Sequence, residues 1–201
     1  MKIKIVLFDA AGVLFPLNKV VGEDLAAKFH LSEEQLQPMW KGFYPEYSVG
    51  KLTTAEFLDL FATTFSLSRN EVTKEVFTKS FLKALAPMPG MEDILIRLSK
   101  TGATLAMLSD TTEMFAEARR KSLFSQYFDH VFLSFEIGYR KPDQRAFQAV
   151  TKFYKVHPKE IFFIDDNKDN VSAALQYGMQ ATIFTDSATL VHDLERAGIL
   201  N

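Results

Sequence analysis

The chain has 201 residues, of which 47% are hydrophobic and 24% charged. That length suits one domain with an insertion, or two small ones, and the apolar content is enough to bury a core. A net charge of -2 with no block rich in Lys and Arg excludes nucleic acid and anionic membranes as electrostatic partners.

The first apolar run, from Ile3 to Phe8, ends at Asp9 and passes into the small stretch Ala10-Ala11-Gly12 before Val13-Leu14-Phe15. An acid is thereby placed at the tip of a strand. From about Pro16 to Leu85 no strand-like run occurs, and the spacing predicts a helical insertion. Ser32 to Gln35, Thr53 to Glu56 and Ser68 to Glu71 each have the capping-box spacing that predicts a helix N-terminus. Phe57, Leu58, Leu60, Phe61 and Phe65, then Val72, Val76, Phe77, Phe81 and Leu82, recur near a helical period and predict a small bundle core. Trp40, Phe43, Tyr44 and Tyr47 are read as part of that core, with contact to a substrate cleft as the alternative.

Pro87, Pro89 and Gly90 mark the return to an alternating pattern. Further strands are predicted at Thr104 to Leu108, Val131 to Leu133, Ile161 to Ile164 and Ala181 to Phe184, with helical segments between them. Runs this apolar are buried on both faces, so the fold class is α/β: a Rossmann-like open parallel sheet with helices on both faces, plus the inserted helical bundle. In such sheets ligands bind at the carboxyl ends of the strands, and Asp9, Ser109, Asp110, Asp165 and Asp166 all fall there. The segment Ser109 to Glu113 offers a hydroxyl and helix-start amides, an arrangement suited to an anion. Lys141 precedes Pro142, which is expected at the first position of a helix. Asn167, Asp169 and Asn170 read first as the capped start of a helix ending at Gly178.

No apolar stretch is long enough to span a bilayer, and the N-terminal run is interrupted too early for a signal peptide, so the mature chain is expected to start at Met1. With no Cys, thiol chemistry and disulfides are excluded, any metal must be held by oxygen or imidazole, and a cytoplasmic location is expected. The four histidines show no ligand spacing. Monomer and homodimer are equally compatible with this composition.

In order along the chain, Asp9-Ala10-Ala11-Gly12-Val13, Leu108-Ser109-Asp110, Arg140-Lys141-Pro142-Asp143 and Ile164-Asp165-Asp166-Asn167 match four motifs. The chain resembles the haloacid dehalogenase superfamily of hydrolases over nearly its whole length. From Phe128 to Asn167 it is most similar to the bacterial sugar-phosphate phosphatases, including the α-D-glucose-1-phosphate phosphatases.

The resemblance implies a core of residues 1–15 and 86–201 with a helical cap at 16–85, and hinges at Phe15-Pro16 and Ala86 to Pro89. It implies a Mg²⁺-dependent phosphatase acting on a small phosphorylated metabolite such as a sugar phosphate. Asp9 is then the nucleophile, Lys141 holds it against the phosphate, and Ser109 bonds a phosphate oxygen. Asp9, Asp166, the carbonyl of Ala11 and Asp165, the last directly or through water, form the metal site.

Two positions depart from the pattern. Ala11 stands where most such phosphatases carry a second Asp as general acid/base, and Asp110 stands where Asn is more usual. Asp110 is read as the cap of the helix that follows, from its spacing to Glu113. Three other readings stay open. A phosphonoacetaldehyde hydrolase would need an imine-forming lysine such as Lys51, a 2-haloacid dehalogenase would need no metal, and a non-catalytic phosphate-binding protein would have lost turnover with Ala11.

Overall fold

The computed structural model describes residues 2–200, apart from the side chain of Asn18. Five parallel strands form one sheet in the order β3-β2-β1-β4-β5: β1 Ile5–Phe8, β2 Thr104–Ser109, β3 His130–Leu133, β4 Ile161–Asp165 and β5 Gln180–Ile183. All five predicted runs are strands. Their side chains alternate between two apolar layers. Val6, Phe8, Leu105, Met107, Phe162 and Ile164 face one core, while Ile5, Leu7, Ala106, Leu108, Ile161 and Phe163 face the other.

The second layer is closed by α8 (Gln144–Tyr154) and α9 (Lys168–Tyr177), through Phe147, Val150 and Ala174. The first is closed by α5 (Met91–Leu98), α6 (Glu113–Arg120) and α10 (Ser187–Arg196). It runs on without a break into the helices between β1 and α5. Those are α1 (Leu17–Phe29), a π-helical turn Met39–Phe43 leading into α2 (Tyr44–Tyr47), α3 (Thr54–Thr64) and α4 (Lys74–Lys83). Phe81 of α4 stacks on Phe115 of α6 with ring centroids 4.4 Å apart, which joins the insertion to the sheet layer. Where the chain crosses, the Met88 amide donates to the Leu14 carbonyl at 2.8 Å. A last short helix, α7 (Ser134–Ile137), follows β3.

The capping signals fared unequally. Thr53 and Glu56 form the full reciprocal box that starts α3. Ser32 and Gln35 also exchange both bonds, and the turn at 33–36 that follows leads through Pro38, in helical conformation, into the π-helical stretch Met39–Phe43. The helix expected from Ser68 starts later, at Lys74, capped by Thr73. Arg69 holds the intervening loop by donating to Asp59 and to the Val72 carbonyl. Leu82, expected in the bundle core, is 52% exposed.

Asp24 ties α1 to α4 by accepting from Ser80 Oγ at 2.5 Å and from Lys83 Nζ. The Lys83 bond, then the Ser80 bond, hold its carboxyl below the usual range. Asp24→Asn should therefore cost about 1 kcal/mol at neutral pH. A carboxyl depressed in the fold stabilises above its unfolded value and loses that effect as pH falls through the folded one. Urea unfolding of the two proteins should converge only as pH falls below the ordinary carboxylate range and through the lowered folded value, where Asp24 becomes neutral like Asn.

Candidate active site

Each strand of the sheet's centre delivers a polar group at its carboxyl end. Phe8 pairs with Met107 and Ile164, so Asp9, Leu108 and Asp165 arrive side by side. The Asp9 amide donates to the Ile164 carbonyl at 2.8 Å, which holds the strand end in place. Lys141 enters from the loop before α8, where its peptide bond to Pro142 is cis. Its ammonium donates to Asp9 Oδ1 at 2.5 Å, Asp165 Oδ2 at 2.8 Å and the Leu108 carbonyl at 3.1 Å. Three acceptors at the end of one buried lysine satisfy all of its donors.

Asp165 is fully buried and its oxygens are further occupied by the Asn167 amide at 2.8 Å and by Asn170 Nδ2 at 3.0 and 3.1 Å. Asp166 points to the cavity and is exposed. Carboxylate oxygens of Asp9, Asp165 and Asp166 lie within 4.8 Å of one another. An all-oxygen cluster of this kind is a donor set suited to a hard divalent cation.

The charges are unevenly compensated. Burial, only partly offset by Lys141 and reinforced by Asp165, pushes the Asp9 carboxyl up to about 7. Burial and the neighbouring Asp165 also raise Asp166. For Lys141 burial acts downward, but the attraction of Asp9, Asp165 and Asp110 outweighs it and holds the ammonium above its ordinary value. One ammonium among these acids leaves room for more positive charge.

The turn after Asp9 is tight. Leu14 and Phe15 amides both donate to the Ala10 carbonyl at 3.0 Å, and the Gly12 amide donates to the Phe15 carbonyl at 2.8 Å. Gly12 takes φ +83°, and a Cβ there would lie 2.1 Å from Asp166 Oδ2. Glycine is thus required twice over, for its backbone angle and for the approach of Asp166.

These groups open on a cavity of about 450 Å³, within the range of small-molecule sites. Asp9, Ala11, Lys141 and Asp166 are on its wall, whereas Asp165 and Ser109 lie behind it. The Ser109 hydroxyl is buried and has no partner among the described residues. Tyr44 and Arg140 complete the wall from the insertion side and from the loop before α8.

Several expectations are corrected. Asp110 does not cap α6: it accepts from the Lys141 amide at 3.2 Å and faces Arg140 at 3.7 Å, holding the Lys141 loop to the end of β2. The cap position is Thr112, and the Met114 amide is taken by Tyr47 Oη, 67 positions away, at 3.3 Å. The Thr111 amide is likewise taken by Ser134 Oγ at 2.9 Å, so two of the amides expected to serve an anion are occupied. Pro142 is not the first residue of α8, which begins at Gln144 with Asp143 as its cap.

Tyr44 lines the cavity, Tyr47 is buried core, and Lys51 is exposed and absent from the wall. Asn167 caps α9 as expected. It is Asn170, and not Asp169, that bonds the buried acid; its spacing of five from Asp165 is the signal that could have singled it out.

Among curated proteins the chain is similar to the sesquiterpene phosphatase astK of Aspergillus oryzae. The two are 26% identical over 194 residues, which cover 96% of this chain and 95% of that protein. It is also similar to (S)-2-haloacid dehalogenase 4A of Burkholderia cepacia, 26% identical over 182 residues, covering 86% and 78% of the two chains. Among solved structures it resembles the enzyme bt-2542 of Bacteroides thetaiotaomicron in complex with magnesium and inorganic phosphate. That likeness has a TM-score of 0.74 and 26% identity over 92% of this chain and 95% of the other. The haloacid dehalogenase-like hydrolase family model matches residues 3–178. With its acids gathered at the carboxyl edge of a five-stranded parallel sheet, this chain belongs to the haloacid dehalogenase-like hydrolases and is an enzyme of that family.

Proposed function

We propose that the protein is a Mg²⁺-dependent phosphatase of a small phosphorylated metabolite, a sugar phosphate being the substrate class its sequence most resembles. What carries this reading is the Asp9 carboxylate on the cavity wall, held by Lys141 within a cluster of three acids. The bt-2542 complex with magnesium and phosphate supports it from a relative. Residues 16–85 act as the cap over this site, moving about the two crossings joined by Leu14 and Met88.

The donor set fits Mg²⁺: Asp9, Asp166 and the Ala11 carbonyl would bind it directly, and Asp165, whose oxygens are already engaged, would act through water. The chemistry contributed by the bound cation is neutralisation of charge between the attacking carboxylate and the phosphoryl group. Lys141 fixes Asp9 Oδ1, so that Oδ2 attacks phosphorus and an aspartyl-phosphate forms as the bond to the leaving oxygen breaks. Lys141 stabilises the charge that develops on the phosphate oxygens, and Ser109, buried just behind the wall, would join them only if the site adjusts around bound phosphate. Ala11 can give no proton, so the leaving oxygen takes one from water, and a second water releases phosphate from Asp9. Loss of a general acid costs about 10²–10⁴-fold, which points to slow turnover or to good leaving groups.

Phosphate release from an aryl phosphate and a panel of sugar phosphates, measured with Mg²⁺ and with EDTA, tests this reading. Hydrolysis should require the metal. Metal-independent release of halide from a 2-haloacid would instead favour the dehalogenase reading, and Lys51, exposed away from the cavity, gives no support to imine chemistry.

Gly12→Ala supplies a separate check. The added methyl would strike Asp166 and strain a positive φ, costing about 1–2 kcal/mol. Apparent Mg²⁺ affinity, read by thermal shift, should fall about 10-fold or more.

A further inference from the structure

Arg119, on the last turn of α6, is 1% exposed, yet its Nε and Nη1 have no hydrogen-bond partner among the described residues. Its guanidinium lies over Phe15 and Phe81, with 5.4 and 5.2 Å to the ring centroids. Aromatic faces stabilise the cation but accept none of its in-plane donors. A buried charge left in this state is costly, and natural structures rarely keep one without a use for it.

The guanidinium borders a small lobe of about 30 Å³ whose wall shares Ala11, Tyr44 and Asp110 with the main cavity. The lobe therefore lies on the Ala11 side of the site, where an acid/base side chain would otherwise stand. Its size admits a group of only a few atoms. Asp110 also faces it, but is already engaged by the Lys141 amide and Arg140. Asp9 attracts the charge of Arg119, but none of the residues assigned to phosphoryl transfer is hydrogen-bonded to it.

We propose that Arg119 binds a carboxylate carried by the leaving group, so that the substrate class is a compact phosphorylated acid. This rests on the phosphatase reading for the phosphoryl seat and adds a second anion subsite beside it. A carboxylate seated in the lobe would meet the guanidinium that borders it, and a charged acceptor is the partner this cation pairs with most strongly. A charge-assisted pair of this kind corresponds to about 10- to 100-fold in affinity.

The test compares two non-hydrolysable probes, methylphosphonate and phosphonoacetate, by calorimetry in the presence of Mg²⁺, on the wild-type protein and on Arg119→Met. The wild type should bind phosphonoacetate at least about 10-fold more tightly, and Arg119→Met should lose that preference while binding methylphosphonate as before. An apolar side chain of similar volume in place of an unpaired buried charge is compatible with folding.

Emission from Trp40, the one tryptophan and a residue of the same lobe, gives a reading that needs no variant. Phosphonoacetate should change it and methylphosphonate should not. Equal affinities in the wild type, identical responses of Trp40, or a preference that survives Arg119→Met would each overturn the assignment while leaving the phosphoryl seat intact. If neither probe nor inorganic phosphate binds with Mg²⁺, the phosphatase reading fails and this subsite fails with it.

Discussion

Asp9→Asn is expected to abolish phosphate release, lowering kcat on the order of 10⁴- to 10⁶-fold, the scale on which loss of a nucleophile is felt. The amide keeps the shape of the side chain and can still meet Lys141, so the loss would not come from misfolding. Stability should in fact move the other way. Burial raises the Asp9 carboxyl to about 7, so the folded protein holds that proton more tightly than the unfolded chain does. Its ionisation therefore costs stability as pH rises from the unfolded value to about 7. Without metal at pH 8, Asp9→Asn should melt no lower than the wild type. Mg²⁺ should stabilise the wild type by about 2.7 kcal/mol at a hundred times its Kd, and stabilise the variant far less. Phosphate release that survives the substitution would remove Asp9 from the mechanism.

What could be read beforehand divides along a physical line. The strands were legible because Ile161-Phe162-Phe163-Ile164 and its counterparts are too apolar for anything but burial on two faces, and their alternation in the two cores follows from the pleat. The acids at their ends were legible for the same reason, since a charge that terminates such a run must sit at the sheet edge. Lys141 was different. Its place between Asp9 and Asp165 depends on a loop 132 residues from Asp9, and only resemblance to a family pointed to it.

Local signals failed where a distant group took over a local task. Asp110 has the spacing of a cap, but Tyr47 reaches the Met114 amide from the insertion and leaves Asp110 to gather the Lys141 loop. Ser68 has the spacing of a capping box, but Arg69 is drawn to Asp59 and holds that stretch as a loop. Arg119 carried no signal at all. A charged residue in the last turn of a helix reads as a solvated end. Its burial follows from Phe15 and Phe81, which come together only when the insertion packs on α6.

Lys141→Met tests the other half of the site and should have the largest effect on the fold. The substitution removes the partner of two buried carboxylates and leaves Asp9 and Asp165 facing each other without an intervening cation. Losing one member of a buried ion pair costs about 3–5 kcal/mol. For a chain of this size that is a fall in Tm of about 6–20 °C. Asp9, already raised to about 7 with Lys141 beside it, would lose the charge that lowers it, so the loss should be greatest at alkaline pH. It should ease as pH falls through that range and Asp9 takes up a proton. Mg²⁺ should restore part of the stability by supplying positive charge, but not the activity, because Asp9 would lose the ammonium that orients it. Lys141→Arg should not rescue either property, since a planar fork cannot reach Asp9, Asp165 and the Leu108 carbonyl from the position of one ammonium. Urea unfolding at pH 5 and pH 8, with phosphate release on the same samples, separates these effects. A variant as stable as the wild type at pH 8 would show that the two acids are not held by Lys141.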